Sequence, residues 1–338
     1  MRVMIATDAW TPQLNGVVVT LGHTVRGLET AGHQVEVIGP DRFRSVPCPS
    51  YPEIRLALLP LPKLGRLLER FEPDAIHIAT EGPIGLAMRR LCLRRGLRST
   101  TAYHTRFPEY VYARWRVPVR LSYAWLRWFH APSQAIMVAT AAIENDLCRR
   151  GFSRIVRWSR GVDTALFKPG VSAPVSWPRP VFMYVGRVAV EKNIDAFLSL
   201  DLPGTKVIVG DGPQRAPLER RHPAAVFVGV KRGEELAQLF RSADAFVFPS
   251  RTDTFGLVLL EAMASGTPVA AFPVPGPVDV VTQGASGVLD EDLRAAALAA
   301  TRLDRATVRR YALGYSWERS TAQFISYLHP NPRPVPTA

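Results

Sequence analysis

The sequence predicts an α/β protein made of two doubly wound, Rossmann-like domains, and three observations support this prediction. A chain of 338 residues is long enough to bury two ordinary cores. Short apolar runs bounded by turn residues recur in both halves, which is typical of buried parallel strands. A segment with helical spacing from Val17 to Ala31, closed by Gly32, separates the first two runs. Strand, helix and strand in that order indicate a βαβ unit.

The predicted strands alternate with helical segments along the whole chain. They cover residues 2–7, 34–39, 74–79, 181–186, 205–210, 225–229, 244–248 and 268–272. A proline-rich segment from Arg160 to Pro180 marks the boundary between the domains. The prediction is an N-terminal domain (1–165), a C-terminal domain (166–305), helices that return to the N-terminal domain (306–330, including a helix over Tyr315–Leu328) and a flexible tail (331–338). Two such domains predict a ligand in a cleft at the carboxyl ends of their strands.

The composition excludes several classes of protein. The cysteines, Cys48, Cys92 and Cys148, lie far apart, so the sequence contains neither a thiolate zinc motif nor a disulfide framework. No glycine-rich dinucleotide fingerprint follows the first strand and no P-loop occurs, which argues against an oxidoreductase and a P-loop NTPase. Asp8 interrupts a short apolar start, and no apolar run reaches the length of a membrane span. We therefore expect a cytoplasmic protein.

Two carboxylates stand out in the segment SRTDTFGLVLLEAMASGTPVAAF, residues 250–272. Asp253 lies just before a predicted helix, Phe255–Ser265, whose N-terminal amides favour an anion. Glu261 lies about two turns into that helix, among apolar residues. A carboxylate there costs stability unless it is paired, so a salt bridge or a ligand is expected at this position.

Two cations stand out in YVGRVAVEKNIDAF, residues 184–197. A strand ends at Gly186, and the following loop presents Arg187 and Lys192 before a helix that begins at about Asn193. Arginine can chelate two phosphate oxygens and lysine adds a point charge. This arrangement is typical of a diphosphate site; two solvated loop cations are the alternative.

The two segments resemble the glycosyltransferase family 4 (GT4) of retaining enzymes, which have the GT-B fold. Asp253 and Glu261 match its E-x7-E signature, with Asp where the family more often has Glu, and Arg187 and Lys192 match its G-R-x-x-x-x-K-N/G motif. The resemblance implies that Arg187 and Lys192 bind the donor phosphates and that Glu261 binds the ribose hydroxyls. Asp253, with the amides of residues 255–256, would bind the transferred sugar.

The resemblance also implies a complete set of site residues. The implied catalytic residues are Asp253, Glu261, Arg187, Lys192 and His104, and the implied donor-binding residues are Gly16, Gly186, Arg187, Lys192, Asp211, Gly212, Thr254, Phe255, Gly256, Leu257 and Glu261. In the family's mechanism the donor phosphate accepts the acceptor's proton, so no side-chain base is needed. No metal or other cofactor is expected, because Asp290-Glu291-Asp292 precedes a helical run and is better explained as an N-terminal cap.

Several N-terminal residues have both a structural and a functional interpretation. Gly16 lies in the first βα loop and fits a turn or a close approach to phosphate. His104 follows a short strand, His77 within a strand is expected to be structural, and Glu81 at a strand end could contact the acceptor. Trp317 is expected in the core.

The first 160 residues carry 23 Lys/Arg against 12 Asp/Glu, which favours an anionic partner over a merely solvated surface. In residues 106–130 arginines alternate with aromatics, as suits a membrane interface, although packed aromatics with solvated arginines are the alternative. The candidate acceptor and membrane residues are Glu81, Arg114, Trp115, Arg116, Arg120, Trp125, Arg127 and Trp128. No nucleic-acid module is recognised, so nucleic acid is not expected.

The wider pattern resembles bacterial glycolipid glycosyltransferases. This resemblance implies transfer of a hexosyl or hexuronosyl unit from a UDP-sugar to a lipid, diacylglycerol above all, by an enzyme on the inner face of the cytoplasmic membrane. The alternatives are a GDP-mannose-dependent or other GT4 enzyme acting on a soluble or polyprenyl-linked glycan, and a non-catalytic sugar-nucleotide-binding module. The oligomeric state stays open.

Overall fold

The structure is a computed structural model that describes residues 1–13, 15–48 and 51–332, without the side chains of residues 51–53 and 113–115. The chain forms two compact units. Unit 1 comprises Met1–Ser159 and the chain from Trp317 onward, and unit 2 comprises Arg160–Ser316. The sequence-based division had its boundaries at residues 165 and 305, whereas the chain changes unit at residues 159 and 316 in the structure.

Unit 1 begins with strands and helices in alternation. Its strands are β1 (Arg2–Ala6), β2 (Gln34–Ile38), β3 (Ser45–Cys48), β4 (Tyr51–Ala57), β5 (Ala75–Ile78), β6 (Thr100–Tyr103), β7 (Ile136–Val138) and β8 (Ile155–Arg157). Its first helices are α1 (Gly16–Thr30), α2 (Leu61–Phe71), α3 (Pro83–Arg95), α4 (Phe107–Trp115), α5 (Val119–His130) and α6 (Ala141–Arg149).

Unit 2 repeats the alternation. Its strands are β9 (Val181–Val185), β10 (Thr205–Val209), β11 (Val226–Gly229), β12 (Ala245–Phe248), β13 (Val269–Ala271) and β14 (Gly287–Leu289). Its helices are α7 (Ile194–Leu198), α8 (Arg215–Arg221), α9 (Gly233–Ser242), α10 (Leu257–Ala264), α11 (Pro277–Val280), α12 (Leu293–Ala300) and α13 (Arg305–Ala312). The last helix, α14 (Trp317–Tyr327), belongs to unit 1.

Each unit is built on a parallel sheet. The strand order is β2-β1-β5-β6-β7-β8 in unit 1 and β11-β10-β9-β12-β13-β14 in unit 2. In unit 1, Val3 of β1 lies opposite Val35 on one side and Ala75 on the other. Strands β3 and β4 form a separate antiparallel pair. Parallel strands need crossover helices, so each sheet brings the carboxyl ends of its strands to one edge, where loops can build a site.

The cores explain why these elements fold. In unit 2, residues such as Phe182, Phe197 and Ala297 form one buried apolar cluster over the sheet. In unit 1, Phe324 of α14 joins Val3 and other β1 residues in a cluster on one side of the sheet. The return of α14 therefore completes the core of unit 1.

The predicted strands and the helices starting near residues 17, 255 and 315 are confirmed within about two residues at each end. His77 is fully buried, and its Nδ1 atom lies 2.9 Å from the Thr100 hydroxyl, which confirms its structural interpretation.

The prediction of a flexible tail from residue 331 is wrong for Asn331. Its amide is buried, donates to the Arg98 carbonyl at 3.1 Å and accepts from the Arg98 amide at 2.6 Å. Residues 333–338 of that predicted tail lie outside the described residues.

Candidate active site

Backbone segments approach one another closely where β9 and β10 end in unit 2. A Cβ at Gly210 would lie 1.9 Å from the Gly186 carbonyl oxygen, and one at Gly212 would lie 2.4 Å from the Val188 carbonyl oxygen. Gly210 and Gly212 also have φ of +141° and +155°. Only glycine fits such contacts, so the loop after β9 packs directly on the loop after β10. Gly212 is therefore required by packing, and a donor contact there remains a prediction.

Backbone hydrogen bonds hold the Arg187 loop in place. The Val188 amide donates to the Asp211 carbonyl at 2.9 Å, and the Gln214 amide donates to the Val188 carbonyl at 3.0 Å. The Tyr184 hydroxyl donates to the Arg187 carbonyl at 2.9 Å. Arg187 itself is half-buried at the carboxyl end of β9, where the sequence predicted it.

Asn193 joins the lysine loop to the loop after β12. Its φ is +53°, a left-handed conformation that asparagine tolerates better than most residues. Its Nδ2 donates to the Pro249 carbonyl at 3.1 Å. The sequence predicted Asn193 as a helix start and as the last residue of the motif that contains Lys192, but it did not predict this hydrogen bond. The combination of an asparagine and a short helix at a loop end was the available signal.

Lys192 and Asp253 form an ion pair in which Nζ lies 2.5 Å from Oδ1. Both side chains are mostly buried, and they come from loops 61 residues apart. The second carboxylate oxygen of Asp253 is buried and has no hydrogen-bond partner within the described part of the chain. The structure thus brings together one predicted phosphate ligand and one predicted sugar ligand.

The segment between Asp253 and α10 is shaped by glycines. Gly256, with φ of +82°, is the N-cap of α10, and a Cβ there would lie 3.2 Å from Cζ of Phe248. Phe255 is buried, and a Cβ at Gly276 would lie 3.1 Å from the Asp253 carbonyl oxygen. No side chain caps α10, so its first amides stay available in unit 2 for an anion or a hydroxyl.

Glu261 lies on α10, where its sequence neighbours Leu260, Ala262 and Met263 are buried. Loss of hydration on burial raises the pKa of Glu261 to about 7. Hydroxyl donors that bind this buried carboxyl group would stabilise its charged form. That property fits the ribose contact implied by the sequence.

The remaining predicted donor residues of unit 2 have ordinary surroundings. Asp211 is exposed, accepts from the Gly212 amide at 2.7 Å and lies 3.6 Å from Arg215 Nη1. Thr254 and Leu257 are half-buried beside Phe255.

The acidic triplet is a cap, as the sequence indicated. Asp292 is the N-cap of α12 and accepts from the amides of Arg294 and Ala295 at 2.9 and 3.1 Å. Glu291 pairs with Arg251 at 2.9 Å. Within the described residues no cluster of His, Cys, Asp and Glu has the form of a metal site. Activity without a metal stays a prediction.

In unit 1 Gly16 is the first residue of α1, and Asn15 caps that helix. The Asn15 side chain accepts from the amides of Val17 and Val18 at 3.0 Å. The start of α1 is exposed. A phosphate contact at Gly16 therefore remains a prediction, at a helix end that already has one side-chain cap.

Glu81 belongs to a buried polar chain that sequence analysis did not foresee. Glu81 Oε1 lies 3.3 Å from Nε2 of His130, and Nδ1 of His130 lies 2.9 Å from the Thr101 hydroxyl. His130 is 1% exposed. The sequence offered no signal for His130, because it ends an aromatic-rich helix and looks like an interface residue.

Asp8 is a second residue that the sequence did not assign. Its carboxylate accepts from the amides of Ile84 and Gly85 at 2.9 and 3.3 Å and from the Thr80 hydroxyl at 2.9 Å. It thus caps α3 from the end of β1. Burial is the main cause that raises the pKa of Asp8 to about 6. An acid in an apolar first strand was the available signal.

His104 lies at the end of β6 with its ring edge-on to Trp158, 5.7 Å between centroids. Trp317 stacks on His23 with 4.2 Å between ring centroids, within the helix pair α1 and α14. Trp317 is half-buried, so it packs against α1 but is not the buried core residue that the sequence predicted.

The aromatic segment 106–130 forms α4 and α5, with one face buried and one exposed. The buried residues of α5 include Tyr123 and Phe129, and Trp125 stacks on Phe129 at 5.8 Å. The exposed residues include Phe107, Tyr112, Arg116, Arg120, Leu121, Arg127 and Trp128. Trp125 is thus half-buried and packs inward, while the predicted Arg114 and Trp115 side chains lie outside the described ones.

Several of the exposed residues contact other side chains or the backbone. The Arg89 guanidinium lies 3.9 Å from the ring centroid of Trp128, and Arg127 donates to the Arg150 carbonyl at 2.9 Å. In the described part of the chain, no helix has the length and apolar character needed to cross a bilayer.

Comparison with known proteins gives the family. A model described as Glycosyltransferase Family 4 matches residues 14–166, and one described as Glycosyl transferases group 1 matches residues 179–304. Two GDP-mannose-dependent alpha-mannosyltransferases, from Mycobacterium tuberculosis and Mycolicibacterium smegmatis, are 33% and 34% identical over 316 residues. The alignments cover 86% of this chain and 83% and 84% of theirs. The chain belongs to glycosyltransferase family 4.

A more distant relative and a solved structure complete the comparison. An alignment of 346 positions gives 25% identity to the alpha-monoglucosyldiacylglycerol synthase of Streptococcus pneumoniae, and it covers 89% of this chain and 78% of that one. The enzyme resembles sucrose-phosphate synthase from Thermosynechococcus elongatus with a TM-score of 0.79, 20% identity and coverage of 96% and 97%. The predicted GT-B fold and hexosyltransferase activity are confirmed.

Proposed function

We propose that this glycosyltransferase transfers a mannosyl unit from GDP-mannose to a lipid-linked acceptor, with retention of the anomeric configuration. The observation that carries the donor is the identity of 33% and 34% to two GDP-mannose-dependent enzymes over 86% of the chain. The proposed donor is therefore GDP-mannose, which the sequence analysis named as the alternative to a UDP-sugar.

The proposed donor site lies on unit 2. Arg187 and Lys192 bind the diphosphate, and Glu261 accepts hydrogen bonds from the ribose hydroxyls. Asp253 and the amides that precede α10 bind hydroxyls of the mannose. The geometry supports these roles because Lys192 and Asp253 are already in contact at 2.5 Å. A donor that enters this site must separate them, so that Lys192 meets phosphate and Asp253 meets sugar.

The leaving diphosphate gains negative charge in the transition state. Lys192, Arg187 and the uncapped amides of α10 stabilise that charge in a site shielded from water. In the proposed mechanism a phosphate oxygen of the donor takes the proton from the attacking acceptor hydroxyl. No side-chain base is then required.

A donor panel tests the proposal. The purified enzyme is incubated with GDP-mannose, UDP-glucose or UDP-glucuronic acid and a lipid extract, and the products are identified by mass spectrometry. The expected result is a hexose added from GDP-mannose alone. Transfer from a UDP-sugar but not from GDP-mannose would overturn the donor assignment. NMR of the new linkage reports its configuration, and a β-mannoside would overturn retention.

A second candidate is transfer of a hexose from a UDP-sugar to diacylglycerol. It is favoured by the relative whose name gives a monoglucosyldiacylglycerol product and which this chain matches over 89% of its length. The same panel, run with diacylglycerol in mixed micelles, decides between the two. A monohexosyl diacylglycerol formed only with a UDP-sugar would favour this second candidate.

The lipid acceptor is supported by the exposed face of α4 and α5. Leu121 and Trp128 there are large and apolar, with Arg116 and Arg120 nearby in the chain. Aromatic and basic side chains suit the boundary between acyl chains and anionic head groups. We propose that this face approaches the bilayer peripherally. If the enzyme glycosylated only water-soluble acceptors, this part of the proposal would fail.

A further inference from the structure

A second surface of unit 1 combines exposed apolar and basic side chains, outside α4 and α5. It lies between β2 and α2 and is a concavity of about 430 Å³ lined by Arg42, Phe43, Arg44, Leu58, Leu59 and Lys63. We call these six residues the hairpin patch, because the β3–β4 hairpin connects their two halves. The proposed donor and acceptor sites use none of them.

The leucines of the hairpin patch are held outward. Leu59 is 89% exposed and Leu58 is 50% exposed. The φ of Leu59 is +46°, a left-handed conformation that a bulky residue rarely adopts. The Leu58 amide donates to the Arg44 carbonyl at 2.8 Å, which fixes the turn against the neighbouring chain. The fold therefore keeps a strained turn whose apolar side chains meet solvent, as interaction sites do.

The cations of the hairpin patch surround these leucines. Lys63 Nζ donates to the Arg42 carbonyl at 2.5 Å and lies 5.7 Å from the centroid of the Phe43 ring. Arg42 forms ion pairs with Glu36 at 3.0 Å and with Asp41 at 3.9 Å. Among the described residues no carboxylate pairs with the exposed Arg44 or with Lys63. The hairpin patch therefore places Arg44 and Lys63, which have no carboxylate partner among the described residues, beside its exposed leucines.

We propose that the hairpin patch docks the enzyme on an anionic phospholipid bilayer. Leu58 and Leu59 enter the boundary between head groups and acyl chains, and Arg44 and Lys63 contact lipid phosphates. Charge complementarity and exposed leucines together select a lipid surface over a free phosphate ion, which would use the cations alone. This inference rests on the proposed lipid acceptor, because it explains how the enzyme reaches it.

Vesicle co-sedimentation of the full chain tests the proposal. The vesicles contain phosphatidylglycerol and phosphatidylcholine, or phosphatidylcholine alone. Leu59→Asp and the double variant Arg44→Glu/Lys63→Glu should each partition into anionic vesicles at least tenfold less than the wild type. Leu59→Gly removes the side chain and relieves the strained φ, so its thermal midpoint should equal or exceed the wild-type value while binding still falls.

Matched controls are available in unit 2. Leu313→Asp, at a leucine that is 49% exposed, is the control for Leu59→Asp. Lys168→Glu/Arg220→Glu, at two exposed cations, is the control for the double variant of the hairpin patch. Both controls should sediment like the wild type. Equal sedimentation of the wild type and all hairpin-patch variants would overturn the proposal. Displacement of the wild type from vesicles by millimolar inorganic phosphate, at constant ionic strength, would overturn the choice of lipid over free phosphate.

Transfer measured in detergent micelles separates this inference from the proposed function. There the hairpin-patch variants should keep wild-type activity, because no bilayer has to be reached. Absence of any transfer to lipid by the wild type would sink the proposed function. If lipid transfer were normal but the hairpin-patch variants bound vesicles as the wild type does, the docking proposal would be wrong and the proposed function would stand.

Discussion

The two units share one fold but treat the carboxyl ends of their strands differently. In unit 1 Asp8 reaches from β1 to cap α3 with its own carboxylate, so those helix amides are satisfied internally. In unit 2 no side chain caps α10, and a glycine precedes it. The nearby Lys192 and Asp253 form an ion pair. The comparison of these two helices shows that the first amides of α3 already have a carboxylate acceptor, whereas α10 has no capping side chain.

The largest effect is expected at Lys192. Lys192→Ala removes the cation proposed to stabilise the leaving diphosphate and leaves Asp253 buried without its partner. We expect kcat/KM to fall about 100- to 1000-fold, measured with the donor found in the panel. Lys168→Ala, at an exposed lysine of the same unit, is the control. A loss below tenfold at Lys192 would mean that unit 2 does not hold the donor phosphates in this way.

The next effect concerns the glycine contacts beneath the Arg187 loop. Gly212→Ala places a Cβ 2.4 Å from the Val188 carbonyl oxygen at a φ of +155°. The free energy of unfolding should fall by about 3 kcal/mol, measured by urea denaturation. Gly284→Ala has a φ of +73° and open space around its Cβ, so it should cost only about 1 kcal/mol. Equal costs would show that the backbone contact at Gly212 is not tight.

Glu261 should make donor binding depend on pH. Its pKa of about 7 means that it is mostly neutral at pH 6 and mostly charged at pH 8. The charged form accepts ribose hydroxyls, so nucleotide affinity should be about tenfold higher at pH 8 than at pH 6, measured by calorimetry. Glu261→Gln should bind more weakly with a flat profile. A wild-type affinity independent of pH would contradict the ribose contact.

The same group gives a stability effect of opposite sign. Because the pKa of Glu261 is raised on folding, its contribution to stability is fully present below the unfolded value of 4.5 and is lost as pH rises through about 7. Without ligand, Glu261→Gln should therefore gain stability relative to the wild type between pH 6 and pH 8. Thermal unfolding at those two pH values checks this.

The smallest effect is expected for the internal cap of unit 1. Asp8→Ala leaves the amides of Ile84 and Gly85 without their acceptor, and the free energy of unfolding should fall by about 1 kcal/mol at pH 5. Because the pKa of Asp8 is raised to about 6, its charged form costs stability above that pH, so the loss should be smaller at pH 8. Chemical denaturation measures the loss. Glu29→Ala, at an exposed acidic residue of α1 in the same unit, is the control. If Asp8→Ala instead increased stability, the carboxylate would be held for a purpose other than capping.

The sequence predicted the parallel strands and the motif residues because these depend on local patterns. The run at 181–186 alternates with turns in the expected way, and the cap at Asp292 follows from an acidic residue before a helical run. The pairing of Lys192 with Asp253 joins loops that are distant in sequence and has no local pattern. The same holds for Asn331, whose bonds to Arg98 span 233 positions. Such contacts are set by the packing of whole elements.

The ion pair between Lys192 and Asp253 has a consequence for selectivity. Lys192 already pairs with a carboxylate and Asp253 already accepts from a donor, so Asp253 competes with an anionic ligand for Lys192. A small anion such as inorganic phosphate would displace Asp253 from Lys192 and leave its mostly buried carboxylate without a cation. A nucleotide sugar supplies phosphate to one partner and hydroxyl donors to the other in the same step. In the proposed donor site, the pair would therefore favour ligands that carry both groups over ligands that carry phosphate alone.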